Sequence, residues 1–144
     1  MIYSTKTKLA MQLAYRAHAG QTDKAGWPYF HHPLHIAEQM KDEASTIVAL
    51  LHDVVEDTDY TLEDIRSMGF GDDVTDALSL LTHEKSAPYF DYVAKIKENP
   101  IAKAVKLADL KHNSDLTRLD KIGEKDLARV EKYRKAIDIL ACSD

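Results

Sequence analysis

The sequence predicts an all-α fold, and three observations lead there. Apolar residues recur with helical period along most of the chain. Only five Gly and four Pro occur in 144 residues, too few for the many turns of a β-sandwich or barrel. Hydrophobic residues make up 44%, enough for a real core, and the length suits a single domain over residues 1–144.

The elements follow in order. Leu9, Leu13 and Ala17 share a face with Ala10 and Ala14, which predicts a helix over about 4–19, stopped by Gly20. Residues 20–31 hold two Gly and a Pro without periodicity and read as a loop, long enough to suggest function. Pro33 suits the first position of a short helix. Ala44 to Val55 reads as one helix, apolar on all sides from Ile47 to Leu51 and so expected at the centre. Thr61-Leu62-Glu63-Asp64 has the pattern of a capping box and starts another short helix, which Phe70-Gly71 ends. Val74, Leu78 and Leu81 mark a helix over 72–83, and Tyr89, Val93 and Ile96 mark the next, closing near Asn99-Pro100. Ile101 to His112 and Lys125 to Leu140 are the last two, the final one with a stripe of Leu127, Val130, Tyr133, Ile137 and Leu140. No repeat, low-complexity tract or linker interrupts them.

Charge and cysteine content narrow the functions. The net charge of −5 disfavours duplex nucleic acid, which is bound by cationic neutralisation of phosphates. The longest apolar run, Ile47–Leu51, is far short of a membrane span, and the N-terminus lacks a signal-peptide layout. The single Cys142 excludes an internal disulfide and a Cys-rich zinc site, and points to the reducing cytoplasm.

The chemistry concentrates around His52-Asp53, which follows the apolar run 47–51. A carboxylate beside a buried helix needs a partner, and a divalent cation is one that also takes a neutral imidazole as ligand. His32 stands where backbone is stiffened by Pro33, and Asp109 follows the apolar run 104–108. His32, His52, Asp53 and Asp109 make a set of two histidines and two carboxylates, suited to Mn²⁺, Fe²⁺ or Zn²⁺ rather than Ca²⁺. His31 and His35 are rivals for the place of His32. Glu56 and Asp57 lie three and four residues after Asp53, on its face if the helix continues, where they could handle protons of water and leaving group. Lys24, Lys106 and Asn113 are candidate substrate contacts, Lys106 and Asn113 each one helical turn from Asp109. Tyr29 and Trp27 are aromatic candidates for a base pocket.

These stretches together resemble the HD-domain metal phosphohydrolases, and within them the hydrolase domain of the RelA/SpoT alarmone family in its stand-alone form. The resemblance rests on 17–21, 24–33, 49–58 with its His52-Asp53-Val54-Val55-Glu56-Asp57-Thr58 run, Phe70-Gly71, Leu81-Thr82, and Val105-Lys106-Leu107-Ala108-Asp109 with His112-Asn113. It implies an all-α fold and one Mn²⁺ held by His32, His52, Asp53 and Asp109. It implies acid/base and water-positioning roles for Glu56 and Asp57, and substrate contacts at Lys24 and Asn113. The implied reaction removes the 3′-pyrophosphate of ppGpp or pppGpp, giving GDP or GTP. The resemblance does not reach a synthetase domain, so no synthetase activity is expected. Asp23 stands where family members commonly have Arg, and Ser114-Asp115-Leu116 omits a cation unless Arg118 supplies it. Other readings stay open: a phosphohydrolase of an adenosine alarmone, a nucleoside monophosphate or NADPH, or a non-catalytic nucleotide-binding module.

Overall fold

An uninterrupted buried helix sets the architecture. In α3, Glu43–Leu51, every residue from Ser45 to Leu51 is buried, and it packs against helices on several sides. Around it stand α1 (Thr5–Ala17), α2 (His31–Glu38), α6 (Asp72–Leu81) and α8 (Pro100–Asn113). The short α4 (Val54–Asp57) and α5 (Leu62–Ser67) link α3 to α6; α7 (Tyr89–Ile96) and α9 (Glu124–Ala141) cover α8. The structure, a computed structural model, describes residues 1–142, so the last two residues of the domain expected over 1–144 lie outside the described residues. Among the described residues there is no β-sheet, only an isolated bridge between Thr22 and Pro28, and the all-α expectation holds. No described helix is long and apolar enough to cross a membrane.

Helix starts follow local chemistry. Ser4 caps α1 through the Thr7 N–H, and Asp42 caps α3 through the Ser45 N–H at 2.8 Å. The box at Thr61 forms as expected: the Asp64 N–H donates to Thr61 Oγ1 and the Thr61 N–H to Asp64 Oδ2. Asn99 caps α8, with Pro100 in its first turn.

The structure departs from the sequence reading in three places that matter. First, α2 begins at His31, so Pro33 sits third in the first turn, where N–H groups have no helical partner anyway. Second, the helix expected over 44–55 ends at Leu51 and restarts at Val54. His52 Nδ1 donates to the Ala49 carbonyl at 2.6 Å, the acceptor a continuing helix would offer to the Asp53 N–H. Third, Leu9 and Leu127 are exposed despite their place in apolar stripes, while Ala10, Leu13, Ala136 and Leu140 are buried.

Candidate metal centre and active site

At the C-terminal end of α3, His52 and Asp53 meet His32 of α2 and Asp109 of α8. Ligand atoms of His32, His52, Asp53 and Asp109 all lie within 4.8 Å of one another. His52 Nε2 is 3.1 Å from Asp53 Oδ2 and 3.4 Å from Asp109 Oδ1; His32 Nε2 is 2.8 Å from Asp109 Oδ1 and 3.8 Å from Asp53 Oδ2. The His52 Nδ1–H is committed to Ala49, so Nε2 is the nitrogen that faces the two carboxylates, and it becomes a ligand lone pair once a metal displaces its proton. That nitrogen is buried without a hydrogen-bond partner. A buried imidazole nitrogen with no hydrogen-bond partner, inside a set of two nitrogens and two carboxylates, fits a divalent cation. His31 and His35 lie outside the set.

Electrostatics point the same way. Burial would drive protons onto Asp53 and Asp109 and off His52. The opposite charges win. His52 holds Asp53 below its usual range, and Lys106 with the two histidines holds Asp109 well below it. Asp53 and Asp109 lift His52 well above its usual value. The carboxylates therefore stay ionised and demand nearby positive charge.

Neighbours orient the four side chains. His32 Nδ1 lies 2.7 Å from Nδ1 of His112, whose ring stacks on it and is pushed down to about 3 by burial and the surrounding cationic groups. Neutral His112 can donate to or accept from His32, so it can serve either tautomer of that ring. The Tyr29 hydroxyl donates to Asp53 Oδ2 at 2.5 Å and reaches Asp57 Oδ2 at 3.3 Å. Burial and then Asp53 raise its pKa, which keeps it a donor. Lys106 Nζ pairs with Asp109 Oδ2 at 3.1 Å, and Asn113 Nδ2 donates to Asp109 Oδ1 at 3.1 Å.

Two cavities of about 260 and 270 Å³ flank the four residues and share Tyr29, Asn113 and Tyr133. Glu56 and Asp57 line the second, at its exposed mouth. Desolvation in the cleft, together with the charge of Asp53, raises both their pKa values, against the His83 N–H on Glu56 and the Tyr29 hydroxyl on Asp57. The first cavity is lined by Lys24, His32, Asn113 and Arg118. Here Arg118 NH1 pairs with Asp23 Oδ2 at 3.1 Å, and Asp23 Oδ1 accepts the Ala25 and Trp27 N–H groups. A cation is thus present beside Asp23, brought by a residue far along the chain.

The four proposed ligands meet at this cleft with Glu56, Asp57, Lys24, Lys106, Asn113 and Tyr29, whereas Trp27 is exposed outside both cavities and stacks on His31. Lys24 stays on its rim, whereas Lys106 and Asn113 hold Asp109 directly. The sequence reading missed the roles of Tyr29 and His112. His112 lies one helical turn from Asp109 and was legible by spacing; the Tyr29 contact to Asp53 spans 24 residues and was not.

A family model described as an HD domain matches residues 10–141. The chain belongs to the HD-domain family. Among its relatives, the mouse guanosine-3′,5′-bis(diphosphate) 3′-pyrophosphohydrolase MESH1 is 36% identical, over 77% of this chain and 68% of that protein. The human protein of that name is 36% identical, over 86% of this chain and 76% of its own length. A GTP pyrophosphokinase of Streptomyces coelicolor is 38% identical over 92% of this chain, which spans only 16% of that protein. A solved structure of a metazoan ortholog of SpoT that hydrolyzes ppGpp superposes with a TM-score of 0.77 at 28% identity, covering 100% of this chain and 90% of that one.

Proposed function

We propose that this chain is a metal-dependent phosphohydrolase that removes the 3′-pyrophosphate of ppGpp or pppGpp, with Mn²⁺ as the metal. The observation that carries it is the set of buried His32, His52 and Asp109 with partly buried Asp53, and with Glu56 and Asp57 at its mouth. The names of the MESH1 relatives support the same substrate.

Bound there, a divalent ion supplies polarisation of a phosphoryl oxygen and lowers the pKa of water. The water oxygen bonds to the phosphorus on O3′, the P–O3′ bond breaks, O3′ takes a proton, and pyrophosphate departs. Glu56 and Asp57 divide the proton transfers, and burial together with the charge of Asp53 raises their proton affinity, the direction that work calls for. Tyr29 fixes both Asp53 and Asp57, tying the metal ligand to the proton-handling group. Lys24 and Asn113 contact the nucleotide, and Lys106 keeps Asp109 ionised. Asp23, which stands where an arginine is common in the family and is paired here with Arg118, leaves a second reading open, in which the same chemistry acts on an adenine nucleotide.

The test is pyrophosphate release by EDTA-stripped protein with Mn²⁺ restored, on ppGpp and its adenine counterpart. Mn²⁺-dependent release from ppGpp is expected. Release from the adenine compound alone would transfer the proposal to the second reading, and no release from either by Mn²⁺-loaded protein would overturn both.

A further inference from the structure

The cavity beside Glu56 holds one cation that the metal centre does not use. Four carboxylates line it, Asp53, Glu56, Asp57 and Asp109, together with Lys106 and Lys132. A divalent ion brings that lining to neutrality. Lys106 is tied to Asp109, whereas Lys132, from α9, makes no ion pair among the described residues. Its Nζ instead lies 4.1 Å from the ring centroid of Tyr89, from α7. A cation over an aromatic face is held in place while its N–H donors stay available. The Tyr89 hydroxyl, lining the same cavity, is buried with no hydrogen-bond partner among the described residues. Two donors without protein acceptors among the described residues thus stand together in a cavity that four carboxylates line.

We propose that Lys132, seated on Tyr89, is a specificity-determining residue that takes the outer phosphate of a diphosphate at the reacting position. The inference rests on the phosphohydrolase reading and deepens it. The outer phosphate stays joined to the attacked phosphorus and leaves with it as pyrophosphate, so no additional bond is made or broken. Lys132 contacts oxygens beyond the reacting centre, and its contribution falls on KM more than on kcat. A 3′-monophosphate has nothing to place there.

The experiment compares guanosine 5′-diphosphates bearing a 3′-diphosphate or a 3′-monophosphate, with the Mn²⁺-loaded wild type, Lys132→Gln and Lys132→Arg. Lys132→Gln should lower kcat/KM on the diphosphate by about 10- to 100-fold, through KM, as expected for a charge-assisted hydrogen bond. It should leave the monophosphate within about twofold, and Lys132→Arg should restore most of the loss. Equal losses on both substrates, or none on either, would overturn the proposal. Should the wild type hydrolyse neither, calorimetry with inorganic pyrophosphate and orthophosphate decides separately. A pyrophosphate preference abolished by Lys132→Gln would uphold the subsite while the hydrolase reading fails, and no such preference would overturn the subsite as well.

Discussion

Replacing Tyr29 by Phe removes one oxygen and leaves the ring in place against His18 and His32, with centroids 4.8 and 5.9 Å away. That oxygen is 2.5 Å from Asp53 Oδ2, which lies 3.1 Å from His52 Nε2. A hydrogen bond to a charged acceptor contributes about 1.5–3 kcal/mol. Partners that orient metal ligands typically change metal affinity or activity by about 10–100-fold when removed. Tyr29→Phe should therefore weaken Mn²⁺ binding by about 10–100-fold, read by calorimetry on stripped protein. At saturating Mn²⁺ a loss in kcat should persist, because Asp57 also loses its 3.3 Å donor. Metal affinity within about threefold of wild type would refute the claim that this hydroxyl positions Asp53.

Glu56→Gln and Asp57→Asn should each keep metal affinity and lower kcat by about 10²–10⁴-fold, measured by pyrophosphate release under saturating Mn²⁺. Metal binding should tighten as pH rises, by about tenfold per unit while one proton is displaced, because Asp53 and Asp109 hold a proton on His52 above its usual pKa. In stripped protein the sign for folding is opposite: the raised His52 pKa contributes stability that is full below about pH 6.5 and lost as pH climbs through the folded value. Urea titrations with and without Mn²⁺ across that range check both signs. Asp23→Asn keeps an oxygen for the Ala25 and Trp27 N–H groups but removes the charge facing Arg118, and should cost about 1–3 kcal/mol in urea unfolding.

Sequence made the helices and the four ligand residues legible because both obey short-range rules. The run 47–51 has no polar face, so it had to be central, and all of it is buried. Asp109 and Asn113 are one helical turn apart, and they do touch. The break at His52-Asp53 was not legible, since no Gly or Pro marks it; the Ala49 carbonyl there accepts from the His52 side chain. The contacts of Tyr29 with Asp53, His32 with His112, and Asp23 with Arg118 join residues 24, 80 and 95 positions apart. No local pattern encodes such pairings, and they needed the assembled bundle.

The measurement closest to the central claim is a crystal structure of Mn²⁺-loaded protein with anomalous data collected at the manganese edge. The account predicts one peak, bonded to His32 Nε2, His52 Nε2, Asp53 and Asp109, with Tyr29 still on Asp53. A peak held instead by Glu56 and Asp57, with His52 Nε2 unligated, would contradict it.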